Sequence, residues 1–120
     1  MTRIRILALL VALPLVASCF VFQCAPYNCR QAVEGRALYE PLLASIEQYH
    51  EQYAVYPEAL ADLTPEYIDG IPALADDAGP KFPEYRRVNG HFEFMFQYFG
   101  PGMNWCVYSP QEEWTCDGHF

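Results

Sequence analysis

The side chains with chemistry to offer are few: five cysteines, three histidines, the serines Ser18, Ser45 and Ser109, and an excess of acids. His50-Glu51-Gln52-Tyr53-Ala54 opens like a zinc-protease helix, but that chemistry needs a second histidine four residues after the first, and position 54 is Ala. His50 and Glu51 then read as a solvated helix face. No serine sits in a Gly-x-Ser-x-Gly elbow, and there is no glycine-rich phosphate loop. Asp69, Asp76 and Asp77 could offer oxygens to calcium, but they lack the spacing of an EF-hand and read first as an acidic loop. Cys24 and Cys29 have four residues between them, Cys106 and Cys116 nine. Zinc sites favour two to four within each pair, and thioredoxin-like redox pairs have two. The expectation is therefore no catalytic residue, no metal and no cofactor. The cysteines are expected to be structural, as Cys24–Cys29 and Cys106–Cys116, although four cysteines allow three pairings and sequence alone does not choose.

Cys19 stands apart because of what precedes it. Arg3 and Arg5 lead into an uncharged apolar run, Ile6 to Phe22. A short basic region followed by an apolar one is the pattern of an export signal. Three readings of Cys19 stay open. Val16-Ala17-Ser18-Cys19 resembles a lipobox, in which the cysteine is lipidated after cleavage in a bacterial lipoprotein. The run can instead remain as an uncleaved anchor, being close to the shortest length that spans a bilayer. Cleavage near Ala17-Ser18 would release a secreted protein. All three put the body of the chain outside the cytoplasm, where thiols oxidise, and setting Cys19 aside leaves four cysteines that can pair fully. The Cys106–Cys116 bridge would stabilise the fold by about 2.5–3 kcal/mol through loop entropy.

Charge narrows the partners. Beyond the leader 5 bases face 15 acids, a balance of −10. Such a field repels nucleic acid and anionic headgroups and suits solubility or cationic partners.

These residues need elements to carry them. Leu38, Leu42, Ile46, Tyr49 and Tyr53 recur at helical steps between Arg30 and Tyr53, so one long amphipathic helix is expected, starting or kinking at Pro41. Pro57 opens a short helix with Leu60 and Leu63, and Thr64-Pro65-Glu66 reads as a second helix start. Ile71 to Pro83, with three prolines and Asp76-Asp77, reads as loop. Asn89-Gly90 then marks a hairpin pairing Val88 with His91, Arg87 with Phe92, Arg86 with Glu93 and Tyr85 with Phe94. Phe92, Phe94, Phe96 and Tyr98 share its core face. A second hairpin sets Cys106 opposite Cys116 and Tyr108 opposite Trp114. Trp105, Tyr108 and Trp114 are candidate surface contacts. The expected fold is α+β: a long N-terminal amphipathic helix packed on a small antiparallel sheet of three to four strands. The chain divides into residues 1–22 (signal peptide or anchor), 23–34 (a tether with Cys24 and Cys29) and 35–120 (one domain).

The helix Leu42 to Tyr53, Tyr56-Pro57 with Leu60 and Leu63, the turn Pro65-Glu66-Tyr67-Ile68, Ile71-Pro72 and the aromatic strands from Phe92 onward resemble, in that order, the periplasmic part of type IV pilins and type II secretion pseudopilins. The resemblance covers roughly residues 35–120 and implies a pilin-like shape. The chain lacks the Gly before the apolar run and the Glu five residues into it that mark pilin precursors. The reading is a non-enzymatic, membrane-tethered interaction or structural module of the bacterial cell envelope. It touches the membrane through a lipid or its N-terminal helix and has an envelope protein as partner. The alternatives are an envelope enzyme or calcium-dependent factor using the Asp69–Asp77 loop, and a filament component.

Overall fold

A computed structural model describes residues 24–76, 79–100 and 102–119. Helix α1 spans Arg30–Tyr53. A short 3-10 helix, Leu60–Leu63, and a turn with a cis Thr64–Pro65 bond follow. Among the described residues six strands follow: β1 (Leu74–Asp76), β2 (Gly79–Lys81), β3 (Glu84–Val88), β4 (His91–Gly100), β5 (Gly102–Ser109) and β6 (Glu113–His119). β1 and β2 form one antiparallel pair, and β3-β4-β5-β6 form a meander in that spatial order.

This corrects the expected fold class. The chain is α+β, but it has two antiparallel sheets rather than a helix on one sheet of three to four strands. The additional sheet lies in the segment read as loop. Leu74 pairs with Lys81, Ala75 with Pro80 and Asp76 with Gly79. Three-residue strands leave no alternation to read, and Pro80 is tolerated because every strand of a two-stranded sheet is an edge. Leu74 packs on the core, and its N–H donates to the Tyr39 hydroxyl at 3.1 Å. The expected second helix start is also absent, since Thr64–Tyr67 is a turn.

α1 runs unbroken through Pro41. The backbone bond that Pro41 removes would have reached the Ala37 carbonyl, and both residues lie on the exposed side, where water serves instead. Two turns of core contact on the opposite side outweigh the loss: Tyr39, Leu42, Leu43 and Ile46 are all buried. The buried stripe runs Ala32, Gly35, Tyr39, Leu42, Ile46, so Tyr39 (0 % exposed) takes the inward place expected of Leu38 (37 %). Ser45 is buried with its hydroxyl 2.9 Å from the Pro41 carbonyl and 3.1 Å from the Tyr67 carbonyl, joining the helix to the turn after the 3-10 segment.

The inner sheet face holds Phe92, Phe94, Phe96 and Tyr98, all buried against α1. The sequence-derived register of the first hairpin holds at all four pairs, because Asn89 (φ 48°) and Gly90 (φ 79°) both adopt the positive φ that a two-residue hairpin turn demands. Cys106 faces Cys116 and Tyr108 faces Trp114. Tyr39 meets Phe94 edge-on at 5.0 Å and Phe96 at 5.3 Å. These contacts depend on Gly35, where any Cβ would run into the Phe96 ring. Gly35→Val is expected to lower unfolding stability by about 2–3 kcal/mol through overpacking, read as a lower urea midpoint at unchanged slope. Replacing Cys106 and Cys116 together by serine is expected to cost a similar amount, about 2.5–3 kcal/mol, measured against the oxidised parent.

Candidate functional site

Strand alternation sorts the polar and aromatic side chains onto two faces. Inward, the Tyr108 and Trp114 rings lie 5.3 Å apart, and Trp114 meets Phe94 and Phe96 edge-on at 6.1 Å and 5.4 Å. Both are half-buried on the core. Trp105 pairs with Gln97 and Asp117 in the ladder and so belongs to the opposite, outward face. The three aromatics grouped from the sequence thus do not form one surface. Tyr108 and Trp114 come together and Trp105 is separated from them by the sheet.

Among the described residues the outward face is the open one, since α1 covers only the inner. A depression of about 350 Å³ there is lined by Glu84, Tyr85, Arg86, Glu93, Met95 and Val107. An adjoining one of about 320 Å³ is lined by Lys81, Phe82, Glu84, Met95 and Gln97. Arg86 and Glu93 bridge across β3 and β4 at 2.6 Å. The pair is solvent-exposed and adds little stability, but it sets two opposite charges beside an apolar floor of Met95 and Val107. That arrangement suits contact with another surface. Phe82, Phe99 and Met103 are exposed as well. Sequence reasoning left these outward apolar residues aside. The signal was present in β4, whose odd-numbered positions 95 and 99 interrupt an otherwise polar alternate set.

A second depression, of about 390 Å³, lies where the end of α1 meets the β3–β4 turn, lined by His50, Ala54, Val55, Tyr56, Arg87, Asn89 and Gly90. His50 stacks on Tyr56 with centroids 4.1 Å apart and planes 13° from parallel. The Tyr56 hydroxyl donates to the Glu47 carboxylate at 3.2–3.3 Å. Arg87 reaches the Tyr56 carbonyl at 3.3 Å and Glu58 at 3.1 Å. His50 is therefore half-buried in a clamp, in which Tyr56 and Arg87 have structural partners.

The cysteines pair as Cys24–Cys29 and Cys106–Cys116, with Cα atoms 5.1 Å and 4.1 Å apart. Cys29 also caps α1, which begins at Arg30 inside the stretch 23–34. Cys19 and the run Ile6 to Phe22 lie outside the described residues, as does Asp77. Asp69 is exposed on a bend and Asp76 ends β1. Among the described residues no group of three or more His, Cys, Asp or Glu could hold a metal ion, and no helix is long and apolar enough to cross a membrane.

Tyrosine hydroxyls tie the segments together. Tyr98 donates to the Pro26 carbonyl at 2.5 Å and Tyr85 to the Pro57 carbonyl at 2.6 Å, while Tyr67 donates to Gln52. Burial raises the pKa values of Tyr39, Tyr85, Tyr98 and Tyr108. Tyr56 is raised by burial first and by Glu47 second.

No protein-family model matches this chain, and neither a curated protein nor a solved structure does.

The tyrosines give the fold an alkaline pH response. An unfolded tyrosine ionises near pH ~10 while the folded ones hold their protons higher, so above that pH the unfolded chain binds fewer protons and stability falls. Unfolding free energy is expected to decline as pH rises through and above tyrosine ionisation. Absorbance at the phenolate band in a pH jump should show a tyrosine fraction that ionises only as the far-ultraviolet circular dichroism is lost.

Proposed function

We propose that this protein is a small domain tethered to a membrane on its extracytoplasmic side, where it acts by contact rather than by catalysis. The observation that carries the reading is the pairing of all four cysteines beyond the leader as two short-range bridges, which suits an oxidising compartment. The basic-then-apolar leader supplies the export signal and the tether, through an acylated Cys19 or through the run Ile6 to Phe22 itself. A protein of the same envelope is the proposed partner, and the outward sheet face is the proposed contact. Its apolar floor with Arg86 and Glu93 beside it offers shape, hydrophobic area and two charges for specificity. Tethering adds effective concentration toward neighbours on the same membrane, so a modest face suffices.

Intact mass of the protein extracted from membranes tests the reading. Loss of residues 1–18 with added acyl mass is expected for the lipoprotein form, and the unmodified full-length mass for the anchored form. Reduction should then add two hydrogens for each of the two bridges. Recovery of the protein from the cytosolic fraction, with its four paired cysteines all reduced, would overturn the proposal.

A further inference from the structure

We infer that the end of the domain nearest the leader seats directly on the lipid bilayer, with Phe99, Met103 and Tyr27 at headgroup level. The inference rests on the tethered reading and adds an orientation to it. Only Gln23 separates the apolar run ending at Phe22 from Cys24, so an anchored run holds Cys24 within ~7 Å of its end, and an acylated Cys19 holds it within ~17 Å.

That entry point is fixed to one end of the sheet. The Cys24–Cys29 bridge closes the turn before α1, the Tyr98 hydroxyl holds the Pro26 carbonyl at 2.5 Å, and Gln31 donates to the Phe99 carbonyl at 3.4 Å. The tip of the β4–β5 hairpin therefore lies beside the place where the chain arrives. At that tip Phe99 and Met103 face each other across the ladder and are 54 % and 55 % exposed, and Tyr27 in the entry turn is 45 % exposed. Aromatic and large apolar side chains at the headgroup level are a recurring way to hold a domain at a membrane.

Charge supports the same seat. Of the five bases beyond the leader, Arg30, Arg36 and Lys81 lie at this end. Lys81 places its Nζ 3.4 Å above the Phe99 ring and Arg36 its guanidinium 3.7 Å above Tyr27. Arg30 pairs with Glu34 at 2.8 Å, and the exposed Asp117 lies opposite Trp105, two residues from Met103, so the end is mixed in sign while the chain beyond the leader is strongly acidic. Long basic side chains over an apolar floor can reach lipid phosphates with their stems still covered. A second copy of the chain is a poorer occupant, because three side chains do not approach the ~1,000 Å² that a stable protein interface buries.

Depth-dependent fluorescence tests the seat. The full chain with its leader is reconstituted into phosphatidylcholine vesicles with or without brominated phosphatidylcholine. A tryptophan is placed at Phe99 (F99W) and, as the control, at Val55 (V55W), which is exposed beside the β3–β4 turn at the far end of the sheet. If F99W fails to fold, M103W replaces it.

Brominated lipid is expected to remove emission from F99W beyond the loss seen in the parent chain, with a blue shift on membrane binding, while V55W matches the parent. Equal quenching of the two variants, or none in either, on chains that float with the vesicles would overturn the seat and leave the tether standing. Emission at position 99 shielded from acrylamide in a protein-concentration-dependent way, yet untouched by brominated lipid, would assign this end to a second copy and overturn the seat. Chains that do not float with the vesicles would overturn the tether itself, and the seat with it.

Discussion

The Phe96 ring lies against Gly35, in the space where any other residue would place a side chain. That single approach sets the distance between α1 and the meander. It places Tyr39 where it meets both Phe94 and Phe96, and Tyr39 in turn receives the Leu74 N–H, which fixes β1 over the helix. A domain of this size buries only about two-thirds of its unfolded surface, so it cannot tolerate a loose helix–sheet seam. The two bridges lie at either side of the seam, Cys29 at the head of α1 and Cys106 on the inner sheet face, both fully buried. Arg36 links them by reaching the Tyr27 carbonyl at 2.7 Å and the Cys116 sulfur at 3.4 Å.

Around this seam polar chemistry is used for joining. Tyrosine hydroxyls close loops onto backbone carbonyls, His50 lies flat on Tyr56, and Arg87 spans to Glu58. Among the described residues, Tyr56, Tyr85, Tyr98 and Arg87 each have a structural partner. The unused capacity is on the outward face, in apolar side chains with charges beside them. That division is the ground for the contact role proposed above.

How much of this was legible in the sequence depended on how local the cause was. Asn89-Gly90 dictates its turn through two positive φ values, so the register of β3 and β4 followed from two residues, and with it the inward set Phe92 to Tyr98. Cysteine spacing likewise pointed to short-range bridges. What depended on packing was not legible. Pro41 reads as a break because its cost is local and its compensation, burial of Tyr39 and Leu42, is not. Tyr39 and Leu38 are adjacent and both apolar enough to face inward, and only the Phe96 contact at Gly35 chooses between them. β1 and β2 are too short to show a period, and Pro80 within β2, with Pro72 and Pro83 on either side of the pair, speaks for loop. At the candidate site, placing Cys106 opposite Cys116 already implied that Trp105 points the other way. The exposed set Phe82, Phe99 and Met103 needed the helix position to reveal which sheet face stays uncovered.

Both bridges join cysteines that are consecutive in the described chain, and neither loop encloses the other. Along the export route proposed above, Cys24 and Cys29 emerge together, 77 residues ahead of Cys106, so the first bridge can close before the second pair arrives. With Cys19 held at the bilayer, order of emergence favours this connectivity over the other two pairings of four cysteines.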